Sequence, residues 1–177
     1  NREAYIMDER QKAQSVGDIP SGLYIVCSQN NDGHKDGYLA SWVQQASFKP
    51  LLISLSINES RPGYTHIVEG GLFTINIVGD QNSGYLKHFW KGYAPGEGPF
   101  NDIPHDVSPQ GGIAIKDAKS VLECKMVSKT KPGDHTIIFA EVLSSSPINE
   151  SFKPKVHLRK NGLDFPIISN SGLKVCV

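Results

Sequence analysis

Leu51-Leu52-Ile53-Ser54-Leu55-Ser56-Ile57 decides the class of fold. Every odd position is apolar, and from Ser54 onward every even one is serine. A period of two belongs to a strand with one face in a core and a polar face opposite. The alternation returns in Phe73-Thr74-Ile75-Asn76-Ile77 and in Leu122-Glu123-Cys124-Lys125-Met126, and once more at Ile138, Ala140 and Val142. Residues 23–28 form a nearly continuous apolar run, as in a strand covered on both faces. Asn30-Asn31-Asp32-Gly33 carries hairpin-turn chemistry, because Asn, Asp and Gly tolerate positive φ; it should join 23–28 to a strand over 38–47. Lys131-Pro132-Gly133-Asp134 is a second turn, between strands at 121–129 and 135–144.

Two helices interrupt this pattern. Ser60-Arg61-Pro62 opens the first, with Pro near the first helical position and Gly70-Gly71 as its stop. The second runs from about Asn82 to Trp90 on an apolar stripe of Tyr85, Leu86, Phe89 and Trp90. From Tyr93 to Gly112 the prolines and glycines read as a long loop, and such loops are more often functional than idle. Many short strands with inserted helices predict a mainly β protein, built as a small closed or split β-barrel. A chain of 177 residues suits one domain, with residues 1–15 as an N-terminal arm and 166–177 as a C-terminal tail. Asn1 rather than Met opens the chain, which leaves room for a longer parent.

Charge and motifs narrow the function. Eighteen Lys and Arg balance eighteen Asp and Glu, so the footprint of a nucleic-acid binder is missing. No apolar run has the length of a membrane span and no secretory opening is visible, so a cytoplasmic location without a membrane partner is expected. Cys27, Cys124 and Cys176 are odd in number, far apart and without a C-x-x-C pair. The histidines have no metal-ligand spacing, so no metal site is expected. Neither a G-x-S-x-G, an H-E-x-x-H nor a phosphate-cradling P-loop occurs, and Gly96-Glu97-Gly98 lies in a Pro-rich loop rather than after a strand.

What remains is polar residues in unusual places. Ser41, Gln44, Gln45 and Ser47 punctuate 39–48, where a plain core strand would alternate. Asn58, Ser60, Arg61 and Thr65 gather at the start of the first helix, a ready site for a phosphate; plain capping by Ser60 is the alternative. Strand polar groups that read the edge of a planar ligand, beside a held phosphate, are what a flavin mononucleotide requires.

The stretch Leu39-Ala40-Ser41-Trp42-Val43-Gln44-Gln45-Ala46-Ser47-Phe48-Lys49-Pro50 resembles the flavin-edge motif of the flavin reductase-like, FMN-binding split-barrel family. Phe73–Val78, Gly133-Asp134-His135 and Val156-His157-Leu158-Arg159-Lys160 are similar to its next strand, its G-D-H turn and its closing strand. Residues 86–96 are similar to the flavin reductase domain at the C-terminus of flavodiiron proteins of photosynthetic organisms. The resemblance covers roughly residues 16–165.

It implies a homodimer with a six-stranded split barrel and FMN near the subunit interface, FAD being the alternative flavin. Ala40, Ser41, Trp42, Val43 and Gln45 would line the isoalloxazine, with Ser47 close by. Asn58, Ser60, Arg61 and Thr65 would hold the phosphate, and Asn76 would sit near the ribityl chain or in its supporting shell. Lys91 and Arg159 are further cofactor-binding candidates, and His135 is the catalytic candidate near flavin and nicotinamide. The implied activity is NAD(P)H-dependent flavin reduction. The alternatives are a flavoredoxin-like carrier serving a redox protein partner and a non-enzymatic flavin-binding module of a larger redox protein.

Overall fold

The structure, a computed structural model, describes residues 2–81, 84–91, 98–159 and 162. In chain order the elements are α1 (Arg2–Gly17), β1 (Ser21–Gly22), β2 (Tyr24–Gln29), β3 (Lys35–Ala40), β4 (Val43–Ser47), β5 (Leu52–Ile57), α2 (Tyr64–Val68), β6 (Leu72–Val78), α3 (Leu86–Lys91), β7 (His105–Val107), β8 (Ile113–Ile115), β9 (Ala118–Thr130), β10 (Thr136–Pro147) and β11 (Val156–His157). The main sheet has seven strands in the order β3-β2-β6-β9-β10-β5-β4, each pair antiparallel.

β3 and β4 stand at opposite edges of this sheet, yet only Ser41 and Trp42 separate them. Three residue steps span at most about 11 Å, whereas seven flat strands would hold their edges about 29 Å apart. The sheet must therefore curl until its edges meet at this corner. The two edges are not paired with each other, so the barrel is split along a seam there. Trp42 C=O accepts from Ser56 N–H at 3.0 Å, which fastens the link to β5.

The interior follows from the alternation. Ile53, Leu55 and Ile57 point inward with Phe73, Ile75 and Ile138, and Ile67 of α2 plugs one end. A second layer covers the outer face of β2, β6 and β9: Tyr85 and Phe89 around α3, Phe100, and Ile113 and Ile115 of the β7–β8 hairpin pack on Ile25 and Val121. At Gly37 a Cβ would stand 2.7 Å from the Phe89 ring and 3.0 Å from that of Phe100, so this layer closes only over a residue without a side chain.

Several expectations are corrected. The strand expected over 38–47 is two strands, because the inward parity slips: Tyr38 and Ala40 face the core, and then Val43 does. That slip gives the main sheet seven strands where the resemblance implied six. Most of the segment expected as an N-terminal arm lies in the helix α1. The loop expected over 93–112 contains the β7–β8 hairpin, turned at Gly111 with φ 92°. The first helix begins only at Tyr64, after Gly63 in the left-handed region (φ 78°), so Ser60 does not cap it. Of the second helix, Leu86–Lys91 is helical, while 82–83 lie outside the described residues, as do 92–97 and the tail 166–177.

On β6 and β9 the polar residues Thr74, Asn76 and Glu123 are buried rather than wet. Thr74 Oγ1 donates to Ile113 C=O at 2.7 Å. The Asn76 carboxamide donates to the carbonyls of Ile25 and Ile113 and accepts from Ile115 N–H at 2.8 Å. Glu123, 1% exposed, accepts from Gln110 N–H at 2.9 Å and from Ser144 Oγ at 2.7 Å, fixing the hairpin turn. Burial alone would raise its carboxyl, but hydrogen bonds from Ser144 and from the backbone of Gln110 and Gly112 outweigh it and hold the pKa below the ordinary value.

Asn76→Ala strands these backbone groups without partners and should cost about 2–3 kcal/mol in urea unfolding. The Glu123 pKa is lower folded than unfolded (about 4.3). Its stabilisation is therefore complete above the unfolded value and is lost as pH falls through the folded one. Glu123→Gln should weaken the protein at pH 7 and flatten the decline of unfolding free energy below about pH 4.

Candidate functional site

The seam opens into a groove of about 500 Å³. One wall is Ser41–Gln44 with Ser54 and Ser56 of β5; the other is Pro20–Gly22, Tyr24 and Pro154–Val156. The register explains the first wall, since Gln44 lies opposite Ser54 and Trp42 C=O is bonded to Ser56 N–H. The second exists because β1 pairs with β11, Ser21 opposite His157, and so lays the later chain beside the seam. Among the described residues none that lines the groove carries a carboxylate, and Lys155 contributes a cation. Among the described residues β3 and β4 each pair with a single neighbouring strand and not with each other.

Three sequence-predicted residues meet at the lip of this groove. The Trp42 ring, 39% exposed, lies 4.9 Å from the His135 ring at a tilt of 55°. The Arg159 guanidinium stands 5.0 Å from the Trp42 ring centroid, within cation–π range. His135 is delivered by the β9–β10 turn, and the pairing of Thr136 with Ile57 sets it beside Asn58. His135 Nδ1 donates to Asp134 Oδ1 at 2.9 Å, so Nε2 is left as the ring's acceptor in the neutral form. That hydrogen bond and the histidine's charge hold the Asp134 carboxyl below its usual range.

The predicted phosphate set lies on the turn leaving β5. Asn58 Oδ1 accepts from Ser60 N–H at 3.0 Å and from Ser60 Oγ at 2.7 Å, so the Ser60 hydroxyl hydrogen is already spent. Arg61, with its guanidinium 5.8 Å from the Tyr38 ring centroid, has no carboxylate partner among the described residues. Glu59 pairs with Lys131 and Tyr64 Oη lies 3.1 Å from Thr136 Oγ1, tying this turn to the one that carries His135. Thr65 is exposed on α2, a helix of only five residues, so any anion would rest on Arg61 and turn amides rather than on a helix terminus.

Other candidates fall elsewhere. Ala40 points into the core and offers only backbone, whereas Ser41, Trp42 and Val43 line the groove. Gln45 is exposed and, with Ser47, lies beyond it at the β-bulge of β4. Asn76 does not reach the groove, because its buried carboxamide is spent bracing β2, β6 and the hairpin. Lys91 ends α3, and its side chain lies outside the described residues. Tyr24, Ser54, Ser56 and Lys155 were not singled out for the site, whereas Gln44 was noted among the polar residues that interrupt 39–48. The serines of β5 were visible as a polar face, but alternation does not distinguish a solvated face from a groove wall.

Comparison with known proteins identifies the family. The family model of the flavin reductase like domain matches residues 16–162, and the chain belongs to that family. It is 32% identical over 150 residues to diflavin flavoprotein A 1 of Synechocystis sp. (strain ATCC 27184 / PCC 6803 / Kazusa), covering 84% of this chain and 26% of that protein. The chain thus spans about a quarter of the length of the curated relatives it matches. Its fold is similar to the NADH:FAD oxidoreductase SgcE6 of Streptomyces globisporus C-1027, with TM-score 0.75, 19% identity and coverage of 90% of this chain and 91% of that one. It is also similar to flavin reductase HpaC complexed with NADP+, with TM-score 0.69, 22% identity and coverage of 89% and 94%. The fold is the split barrel of flavin reductases, and the function is a flavin-related redox one. Among the described residues no helix is long and apolar enough to cross a membrane, and no three His, Cys, Asp or Glu side chains gather as a metal site.

Proposed function

We propose that the chain is an FMN-binding flavin reductase fed by a reduced nicotinamide dinucleotide, with the flavin lying along the seam at Ser41–Val43. The meeting of Trp42, His135 and Arg159 at the groove carries this reading. The groove suits a flavin in volume and in chemistry, with strand-edge backbone groups, hydroxyls and an aromatic ring, and no carboxylate among the described residues that line it. SgcE6 has also been solved with NAD and FAD fragments, which supports a nicotinamide donor and keeps FAD as the alternative flavin.

A bound flavin would supply the redox chemistry, taking a hydride equivalent from the reduced nicotinamide and passing the electrons on. The protein's part is orientation and charge. Seam-side N–H groups of 41–45 face the planar edge and favour the negative charge that builds there. Trp42, braced by Arg159, offers a flat surface for the incoming ring. Arg61 holds the phosphate end. His135, with Nδ1 anchored on Asp134, positions the donor or handles a proton at Nε2. A second copy of the chain is the expected partner, and exposed Phe48, Leu51 and Leu143 offer it apolar surface.

A carrier that exchanges electrons with a protein partner is the second reading. Anaerobic stopped-flow mixing of flavin-loaded protein with NADH and then NADPH separates the two. Rapid bleaching of the flavin band is expected and names the donor; flavin that stays oxidised favours the carrier, and failure to take up flavin overturns both. Arg61→Ala should weaken FMN binding roughly 10–100-fold while leaving riboflavin binding nearly unchanged, read by equilibrium titration. His135→Ala should slow flavin reduction by roughly 100-fold with flavin content preserved.

A further inference from the structure

A second cavity, of about 270 Å³, lies between the β2–β3 turn and the segment entering β7, with Lys35, His34, Phe100, Asn101 and His105 on its walls. Lys35 shares the outer face of β3 with Gly37, which meets Phe89 and Phe100. Ala40, at the seam, is five residues along the same strand, about 17 Å by strand rise. The cavity is therefore separate from the groove.

Inside it a hydrogen-bond relay holds a cation in place. His105 Nδ1 donates to Ile103 C=O at 2.7 Å, and its Nε2 lies 3.0 Å from Lys35 Nζ. An ammonium has no lone pair, so Nε2 must be the acceptor and the ring is neutral, with its hydrogen on Nδ1. The Lys35 charge is thus pinned by an uncharged partner. Among the described residues none that lines the cavity carries a carboxylate, and the neighbouring Asp36 is engaged with His34 at 3.2 Å. The Phe100 ring, 5.2 Å from that of His105, gives an apolar floor. A lysine with no such bracket would extend its ammonium into water.

We infer that this pocket binds a small phosphate-bearing anion, either free phosphate or a phosphate monoester. Lys35 supplies the charge and two remaining N–H donors, while Asn101 and His34 add polar groups to the wall. The volume lies below the range for drug-sized ligands, so a phosphoryl group with a small attachment fits and a whole dinucleotide does not.

The test is titration of the full chain, at measured and constant flavin content, with inorganic phosphate in a phosphate-free buffer, followed by amide NMR. Saturable shifts are expected at Gly33, Lys35, Phe100 and His105. Lys35→Met should weaken them at least about tenfold without loss of flavin. His105→Phe, which keeps the cation and removes its bracket, should weaken them less. Glycerol 3-phosphate binding about tenfold tighter than phosphate would identify a small phosphate monoester as the occupant, and equal affinities would identify free phosphate. The absence of saturable shifts in the wild-type protein overturns the assignment whether or not the variants fold. So does a Lys35→Met protein that titrates like the wild type.

Discussion

The Ser41–Trp42 link is the constraint on which the rest of the structure depends. Two residues join strands at the two edges of a seven-stranded sheet, and the sheet has to curl to let them. Curling encloses the core of Ile53, Leu55, Phe73 and Ile138, and it leaves a seam where two strand edges face each other unpaired. The element that closes the barrel is therefore also the element that opens the groove. The link's own residues line that groove.

The second layer depends on that curl through buried polar brackets. Thr74 and Asn76 face away from the barrel interior and would be exposed on a bare sheet. The β7–β8 hairpin gives their hydrogen bonds partners, and Glu123 holds the hairpin's turn by accepting a backbone N–H. These groups, unlike the apolar contacts beside them, specify one position of the hairpin, since a one-residue shift would leave several buried polar groups unpartnered.

The site is assembled from short connections rather than from strand centres. Trp42 comes from the seam link, His135 from the β9–β10 turn, and Arg61 from the turn after β5, with Arg159 following β11. A rigid barrel holds each connection at its root, and the Glu59–Lys131 pair and the Tyr64–Thr136 contact hold two of the turns to each other. Lys35 and His105 show the same principle on the outer face, where hairpin ends from two sheets meet.

By itself, the sequence determined the class of fold, and it named Trp42, His135 and Arg159, which the fold brings together. Alternation at 51–57, 73–77 and 122–126 reports which residues point inward, because side chains on a strand change face at every step. The G-D-H turn and the 39–50 stretch were legible because they are local. Only the tertiary structure decided what the polar faces confront. Ser54 and Ser56 line a groove, Asn76 braces a hairpin, and Gln45 faces solvent, although all are polar residues on or beside strands. Period two says that a side chain leaves the core, and not whether water, a hairpin or a ligand lies beyond. The break at Ser41–Trp42 was present as a slip in inward parity, yet its consequence, a curled and split sheet, depends on strand order, which pairing across the whole chain sets.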